Sequence, residues 1–524
     1  MPATPPDVLP ARPLSTPVRR VADLLARVQA LRLLPVGADA QTRLAGCTHD
    51  SRTVRPGDLY AALPGARVHG AQFLAQAVAA GAAAVLTDEV GAALAAQAGL
   101  DLPVLVAADP RAVLGDLAAC VYGDPAAQLL MIGITGTNGK TTTAFLVEAG
   151  LRAAGHRTGL LGTVQTRIAG DVLPSTRTTP EAPELQALLA TMVERGVTAV
   201  VMEVSSHALA LGRVDGIVFD TAVFTNLTQD HLDFHPSMAD YEAAKAALFT
   251  PARARRGVVN LGDPAGRRLV ATATLPLTTY DLAVNGGAGD ARAGDTWAGD
   301  GRPADVLVEA VELRPDGSSF RLTGQVPVRG QVALPGSFNV VNATAALVAL
   351  AVSGVDVVAA AAGIAALAGV PGRMERIDEG QPFLALVDYA HTPDAVRTAL
   401  QAVRGLTTGN VIVVLGCGGD RDRAKRPLMG AAAVAGADRV VLTSDNPRSE
   451  DPQSIVDQMA AAAPGAVIRL DRAEAIAYAL TLARPGDVVV VAGKGHETGQ
   501  EQGGVVTPFD DRAVLRGALQ AVRA

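Results

Sequence analysis

The chain has 524 residues, 49% of them hydrophobic and 19% charged, with a formal net charge of -7. That length exceeds one ordinary core and predicts roughly two to four domains. The acidic balance argues against a protein built around a basic nucleic-acid face, and no uninterrupted apolar run reaches the ~18 residues of a membrane span.

Taken in chain order, the opening stretch MPATPPDVLPARPLSTPVRR has prolines where a secretion signal needs an apolar core, and it reads as a frayed leader. Residues 1–108 then carry a small α/β pattern: DSRTVRPGDLYAAL turns from polar to apolar, and AQFLAQAVAAGAAAVLTDE reads as helix then strand. AADPRAV marks the first domain boundary. The apolar strand LLMIGITG runs into a glycine loop and the helix KTTTAFLVEAGLRAAG. Buried strands TAVVMEV, TAVFTN and RGVVNLG alternate with helical segments, which predicts a parallel sheet with crossovers. The Gly/Ala/Asp-rich stretch at 285–304 reads as a flexible surface insertion. A second α/β block begins near VPGRMERI, with strands LALVDYA, VIVVLGC, RVVLTSD and DVVVVAG. The expected domains are 1–108, 109–371 and 372–524. Nearly every apolar run ends in a polar cluster. Ligands of open parallel sheets bind beyond the carboxyl ends of strands, so one site between two domains is expected. Cys47, Cys120 and Cys417 are far apart and odd in number, which fits a reducing cytoplasm and disfavours structural zinc.

The loop GITGTNGKTTTAF resembles a phosphate-binding loop but has Ile134 where the Walker spacing wants glycine. Gly136 and Gly139 let backbone N–H groups of the Gly136-Thr137-Asn138-Gly139 turn approach phosphate at a helix N-terminus. Lys140 can reach the β- and γ-phosphates, and the Thr141 hydroxyl, followed by Thr142, can hold Mg²⁺. The competing reading is a chance glycine-rich turn. In MEVSSHALALGRVDG, Glu203 is either a Mg²⁺ ligand or a partly buried acid. Ser205 and Arg213 suit an anionic substrate, and His207 reads as structural. In TNLTQDHLDFH, the group Asn226, Asp230, His231, Asp233 and His235 reads equally as a metal or phosphate site and as a solvated polar turn. Its spacing matches no zinc pattern. On spacing alone, Lys245 in ADYEAAKAALF is a surface lysine. In the second block, Arg373 and Asp388, with His391 nearby, can clamp a nucleotide from the far side. Arg421, Asp445, Asn446 and Arg448, with Pro447 stiffening their loop, suit a substrate that carries carboxylates.

These motifs resemble those of the Mur ligases of peptidoglycan synthesis, over nearly the whole chain. TGTNGKTTT is similar to the family's ATP loop, whose short form lacks the first Walker glycine and accounts for Ile134. DSRTVRPGDLYAAL, TTP, EVSSHAL, TNLTQDHLDFH, YEAAKAALF, GSFNVVNATAA, PGRMER, DYAHTPD, GDRDRAKRP, DNPR and GKGHE follow in the family's order. The resemblance implies an α/β protein of three domains: a central P-loop ATPase with a parallel sheet, flanked by an N-terminal UDP-binding α/β domain and a C-terminal Rossmann-like domain. It implies that Gly136 to Thr142, Asn342, Arg373 and Asp388 contact ATP, a co-substrate. It also implies that Thr141, Glu203, His231 and a carbamylated Lys245 serve Mg²⁺. Lys140, Glu203, His231 and Lys245 would be the catalytic set. Ser51, Thr178, Thr179, Ser205 and Arg213 match contacts to UDP-N-acetylmuramoyl-L-alanyl-D-glutamate, and Arg421, Asp445, Asn446, Pro447, Arg448, Gly493 and Glu497 match contacts to the incoming amino acid. Two positions depart from the family pattern: Leu211 stands where some relatives have glutamine, and Arg177 where asparagine is frequent.

The implied reaction joins a third amino acid to the D-glutamate side chain through an acyl phosphate, in a cytoplasmic monomer without nucleic-acid or membrane partners. The DNPR motif and Arg421 point to meso-2,6-diaminopimelate. Asp445, Glu450 and Asp451 keep lysine and ornithine open as alternatives. A folate-polyglutamating ligase is disfavoured by DNPR and the N-terminal segment, a P-loop switch protein by the arginine-lined second block, and a non-catalytic nucleotide-binding module by the intact Lys140, Thr141, Glu203, His231 and Lys245 set.

Overall fold

A computed structural model describes residues 11–35, 38–175, 177–282 and 304–523. Residues 1–10 and almost all of the Gly/Ala/Asp-rich insertion therefore lie outside the described residues. From Ala11 onward the leader is docked, contrary to its reading as frayed. Arg12 Nη1 pairs with Asp58 Oδ1 at 2.7 Å, and the Leu14 and Ser15 amides donate to Glu194 at 3.0 and 3.1 Å. Prolines barred a helix there but did not bar these contacts.

Three sheets organise the described residues. The central one has eleven strands, and seven of them, Thr158–Leu161, Ala199–Glu203, Leu130–Thr135, Thr221–Phe224, Gly257–Asn260, Leu277–Leu282 and Val306–Arg314, lie side by side and parallel. Their Val/Ile/Ala runs suit strands covered on both faces. The helix Lys140–Ala153 is buried almost all round, between this sheet and the helices Ser337–Val352 and Val357–Ala365. Gly150 permits that closeness, because a Cβ there would stand 2.5 Å from Leu350 Cδ1.

The second α/β block forms a six-stranded sheet in the order Glu375–Arg376, Leu384–Asp388, Val488–Ala492, Val411–Cys417, Arg439–Ser444 and Val467–Ile468, parallel except at its first pairing. The strand order reverses around Val488–Ala492, which opens a crevice at the carboxyl ends. The N-terminal sheet has five strands: Arg32–Leu34, Val104–Val106, Ala84–Thr87, Asp58–Ala61 and Gly46–Thr48. The helix Pro110–Val121 starts beyond residue 108, yet its Leu114, Leu117, Ala118 and Val121 complete the N-terminal core. Among the described residues, no helix is long and apolar enough to cross a membrane.

Candidate active site

Strand Leu130–Thr135 delivers the glycine loop to the carboxyl edge of the central sheet. Ile134 is fully buried inside that strand, paired with Glu203 on one side and Val223 on the other. The backbone is still strand where the longer Walker loop has already turned, so the turn starts at Gly136. Gly136 has φ +146° and Gly139 +86°, and a Cβ on either would strike Thr225 Oγ1 at 1.9 Å or Asn342 Oδ1 at 2.5 Å. The loop is tied to the next strand end: the Asn138 amide donates to Asn226 Oδ1 at 2.9 Å, and Thr225 Oγ1 donates to the Asn138 carbonyl at 2.7 Å. Asn226 thus braces the loop.

Glu203 ends its strand beside the loop. Its carboxylate accepts from Thr141 Oγ1 at 3.0 Å, Thr163 Oγ1 at 3.1 Å and the Thr163 amide at 2.8 Å. Thr163 carried no sequence signal. Lys140 Nζ donates to the Gly136 and Thr137 carbonyls at 2.9 and 2.8 Å, and Lys245 Nζ donates to the same Gly136 carbonyl at 2.7 Å. Lys245 is 1% exposed, which overturns its reading as a surface lysine. Helix Met238–Ala246 turns this residue inward, and its ammonium lies 4.5 Å from the centre of the Tyr241 ring. Desolvation, reinforced by the Lys140 charge, pushes the Lys245 amine well below the usual ammonium range. Burial also lowers Lys140, against the pull of Glu203 and Asp230.

His231, at φ +54°, lies 4.8 Å ring to ring from His207, and its Nε2 is 3.4 Å from Asp230 Oδ2. Burial drives its pKa down, so the neutral imidazole is favoured. His207 packs on Phe234 at 4.1 Å, as its structural reading anticipated, and His235 bonds Ser206 Oγ at 2.9 Å. Glu203 and His231 make no direct hydrogen bond. Among the described residues, no three His, Cys, Asp or Glu side chains gather as a metal cluster.

Arg373 reaches from the C-terminal block to donate to Thr141 Oγ1 at 3.2 Å, stacked 4.2 Å above the Tyr389 ring. Asp388 is occupied otherwise: its two oxygens accept the Met374 and Ala390 amides, each at 2.8 Å. It holds the turn that carries Arg373, and burial raises its pKa. Asn342 is buried against the loop, within 3.5 Å of Thr143 Oγ1.

A cleft of about 700 Å³ separates the central and C-terminal blocks, lined by Asp230, His231 and Asp233 on one side and by Arg421, Asp445, Asn446, Arg448, Gly493 and Glu497 on the other. Arg421, 58% exposed, stands 4.0 Å from Asp233 across it. Pro447 does not line the cleft; its carbonyl packs so close to Gly419 that a Cβ there would lie 1.9 Å away. Lys494, fully buried, binds Asn446 Oδ1 at 2.9 Å and Glu497 Oε2 at 3.0 Å. It locks DNPR to GKGHE, a role the sequence alone did not assign. Glu450 is committed to Arg426 at 2.8 Å and Arg423 at 3.1 Å, and hydrogen bonds from Arg426 bring its pKa down to about 2. Asp451 caps the helix Pro452–Ala460 through the Ser454 amide at 3.0 Å. Neither acid is free to meet a ligand ammonium.

On the other flank, Thr179 Oγ1 donates to the Glu203 carbonyl at 2.9 Å, and Thr178 Oγ1 shares a hydrogen bond with Thr163 Oγ1 at 2.9 Å. Ser205 caps its helix through the Ala208 amide at 3.2 Å, and Arg213 Nη1 donates to the Thr179 carbonyl at 3.3 Å. Ser51 stands apart on the N-terminal block, donating to Gln76 Oε1 at 3.0 Å.

Matches to known proteins follow this division. The chain matches the Mur ligase middle domain over 134–350, the Mur ligase glutamate ligase domain over 372–495 and the Mur ligase family catalytic domain over 43–122. The chain belongs to the Mur ligase family. A Streptomyces coelicolor relative named UDP-N-acetylmuramoyl-L-alanyl-D-glutamate--2,6-diaminopimelate ligase is 55% identical, with 98% of each chain covered. A Corynebacterium glutamicum relative of the same name is 48% identical, covering 93% of this chain and 94% of its own. A solved structure of a ligase so named superposes with a TM-score of 0.66 at 33% identity, over 97% of this chain and 100% of that one. The Mur ligase architecture is thus shared from the N-terminal sheet to the C-terminal crevice.

Proposed function

We propose that the chain is an ATP-dependent ligase that joins meso-2,6-diaminopimelate to the D-glutamate side chain of UDP-N-acetylmuramoyl-L-alanyl-D-glutamate. The observation that carries this reading is the cleft itself: Thr228, bonded to Thr137 of the phosphate loop, lines one side with Asp230 and His231, and Arg421 and Arg448 line the other. The names of the 55% and 48% identical relatives agree with it. The N-terminal unit, expected to end at 108, is best extended through Tyr122, which belongs to the same core.

Two anions must meet for the reaction to start. A γ-carboxylate oxygen of D-glutamate attacks the γ-phosphorus of ATP, and the bond to the ADP oxygen breaks. The amine of diaminopimelate then attacks the acyl carbon, losing a proton, and phosphate leaves. Lys140 and the loop amides hold the phosphates and offset their charge. Arg373 lies on the Thr141 hydroxyl and brings the C-terminal block onto the nucleotide, which excludes water from the acyl phosphate. Arg421 faces the side of the cleft that receives the amino acid. With Glu450 and Asp451 bound internally, Asp445 is the one of those three acids left in the cleft lining, and with Arg421 and Arg448 in the same lining the cleft favours a distal centre carrying a carboxylate beside its ammonium over the lone ammonium of lysine or ornithine.

The donor set fits Mg²⁺ in part: Thr141 and Glu203 supply oxygens beside the loop, and His231 faces the cleft. Lys245 as an ammonium would repel a cation. Its buried, low-pKa amine is suited to take up CO₂ as a carbamate, which supplies an oxygen ligand. Mg²⁺ held there would neutralise phosphate charge.

Purified protein with ATP, the UDP-linked dipeptide and either diaminopimelate, lysine or ornithine tests the reading. Tripeptide is expected with diaminopimelate. Product only with lysine or ornithine would reassign the amino acid, and rapid ATP turnover without the dipeptide would overturn the mechanism.

A further inference from the structure

Glu181 is the N-cap of helix Ala182–Glu194 and is nearly buried. Three guanidinium groups converge on it: Arg213 Nη2 at 2.9 Å, Arg111 Nη1 at 3.4 Å and Arg177 Nη1 at 3.7 Å. Arg111 comes from the N-terminal helix Pro110–Val121, Arg177 from the loop before Thr178, and Arg213 from the turn after helix Ser206–Ala210. Three cations on one carboxylate leave an excess of positive charge, and Glu184 on the same helix pairs directly with none of them. Arg213 Nε is buried without a partner. Arg111 and Arg177 keep 35% and 34% of their side chains exposed at loose distances, so neither pair is an effective tether.

Hydrogen bonds link the cluster to the strand end that carries Glu203. Arg213 binds the Thr179 carbonyl, and Thr179 binds the Glu203 carbonyl, so the excess charge sits beside the acyl-transfer centre. We propose that Arg111 and Arg177 join Arg213 in an anion subsite for the UDP-linked dipeptide, with Glu181 as the positioning residue that splays the three groups. This rests on the proposed ligase function. The ligand chemistry is a pair of anionic oxygens, from either the D-glutamate α-carboxylate or the pyrophosphate. Bidentate guanidinium contacts suit both.

The test uses the full chain as wild type, Arg111→Ala, Arg177→Ala and Arg177→Lys, with initial rates and calorimetric binding of the UDP-linked dipeptide. Each alanine variant should raise the dipeptide KM about tenfold, as expected for losing a charge-assisted contact, with KM for ATP and for the amino acid unchanged. Arg177→Lys should recover part of the loss. If the α-carboxylate is the ligand, an α-amidated dipeptide should bind wild type and alanine variants equally. If the pyrophosphate is, UDP-N-acetylmuramoyl-L-alanine should inhibit the variants more weakly than the wild type. An unchanged dipeptide KM in both alanine variants, or a lower melting temperature with every KM shifted alike, overturns the subsite. A wild type that neither binds nor ligates the dipeptide overturns the proposed function instead, and the subsite with it.

Discussion

Lys245 and Lys140 point two amines at one carbonyl oxygen, that of Gly136, inside a buried pocket. Lysine→alanine at 245 is expected to abolish ligation while the protein remains folded, because the pocket gains from losing a desolvated charge. Wild-type protein in labelled bicarbonate should show a carbamate carbon signal that Lys245→Ala lacks; full activity in the variant would remove the carbamate from the mechanism. Both lysines have folded-state pKa values below the ordinary range. The unfolded chain therefore holds more protons up to about pH 10, so in carbonate-free buffer stability falls as pH drops from there and rises towards it. Urea midpoints across pH should follow that slope, and Lys245→Met should flatten it.

At the scale of the element, the loop and the turn beyond strand Leu384–Asp388 behave as braced units. Gly139→Ala places a Cβ against Asn342 at a left-handed position, and ATP affinity should fall about five- to 150-fold for a strain of about 1–3 kcal/mol. Asp388→Asn turns one amide acceptor into a donor facing the Met374 or Ala390 N–H. It should cost about 1–3 kcal/mol of stability and lower kcat by loosening Arg373. The strands and the glycine loop were legible in the sequence because apolar runs and turn residues are local signals. Ile134 was legible only as an anomaly, since strand pairing with Glu203 and Val223 decides where the turn begins. Spacing makes Lys245 a surface lysine because its helix, MADYEAAKA, is short and alanine-rich with three charged residues, and only tertiary packing turns that residue inward. Asp388 has a scaffolding role that no motif announces, and the Glu181 cluster joins residues about 70 positions apart.

Across the whole molecule, the two blocks meet through polar contacts and through Phe338, which packs against the C-terminal core, beside an open cleft. Arg421→Ala should raise the amino-acid KM with little change in melting temperature, because an exposed pair at 4.0 Å adds at most about 1 kcal/mol. A large loss of stability would instead make Arg421 an interblock strut. Breaking the fully buried Arg472–Asp511 pair, by contrast, should destabilise the C-terminal block by about 3–5 kcal/mol. The contact between Arg373 and Thr141 also sets a calendar for the cycle. The Thr141 hydroxyl donates to Glu203 and accepts from Arg373, so with Arg373 in place its hydrogen-bonding capacity is largely taken. On the proposed ligase reading the cation of the nucleotide takes that hydroxyl, so nucleotide is expected to arrive before Arg373 settles there, and the amino acid last. Enzyme preincubated with excess amino acid should start with a lag that preincubation with ATP removes.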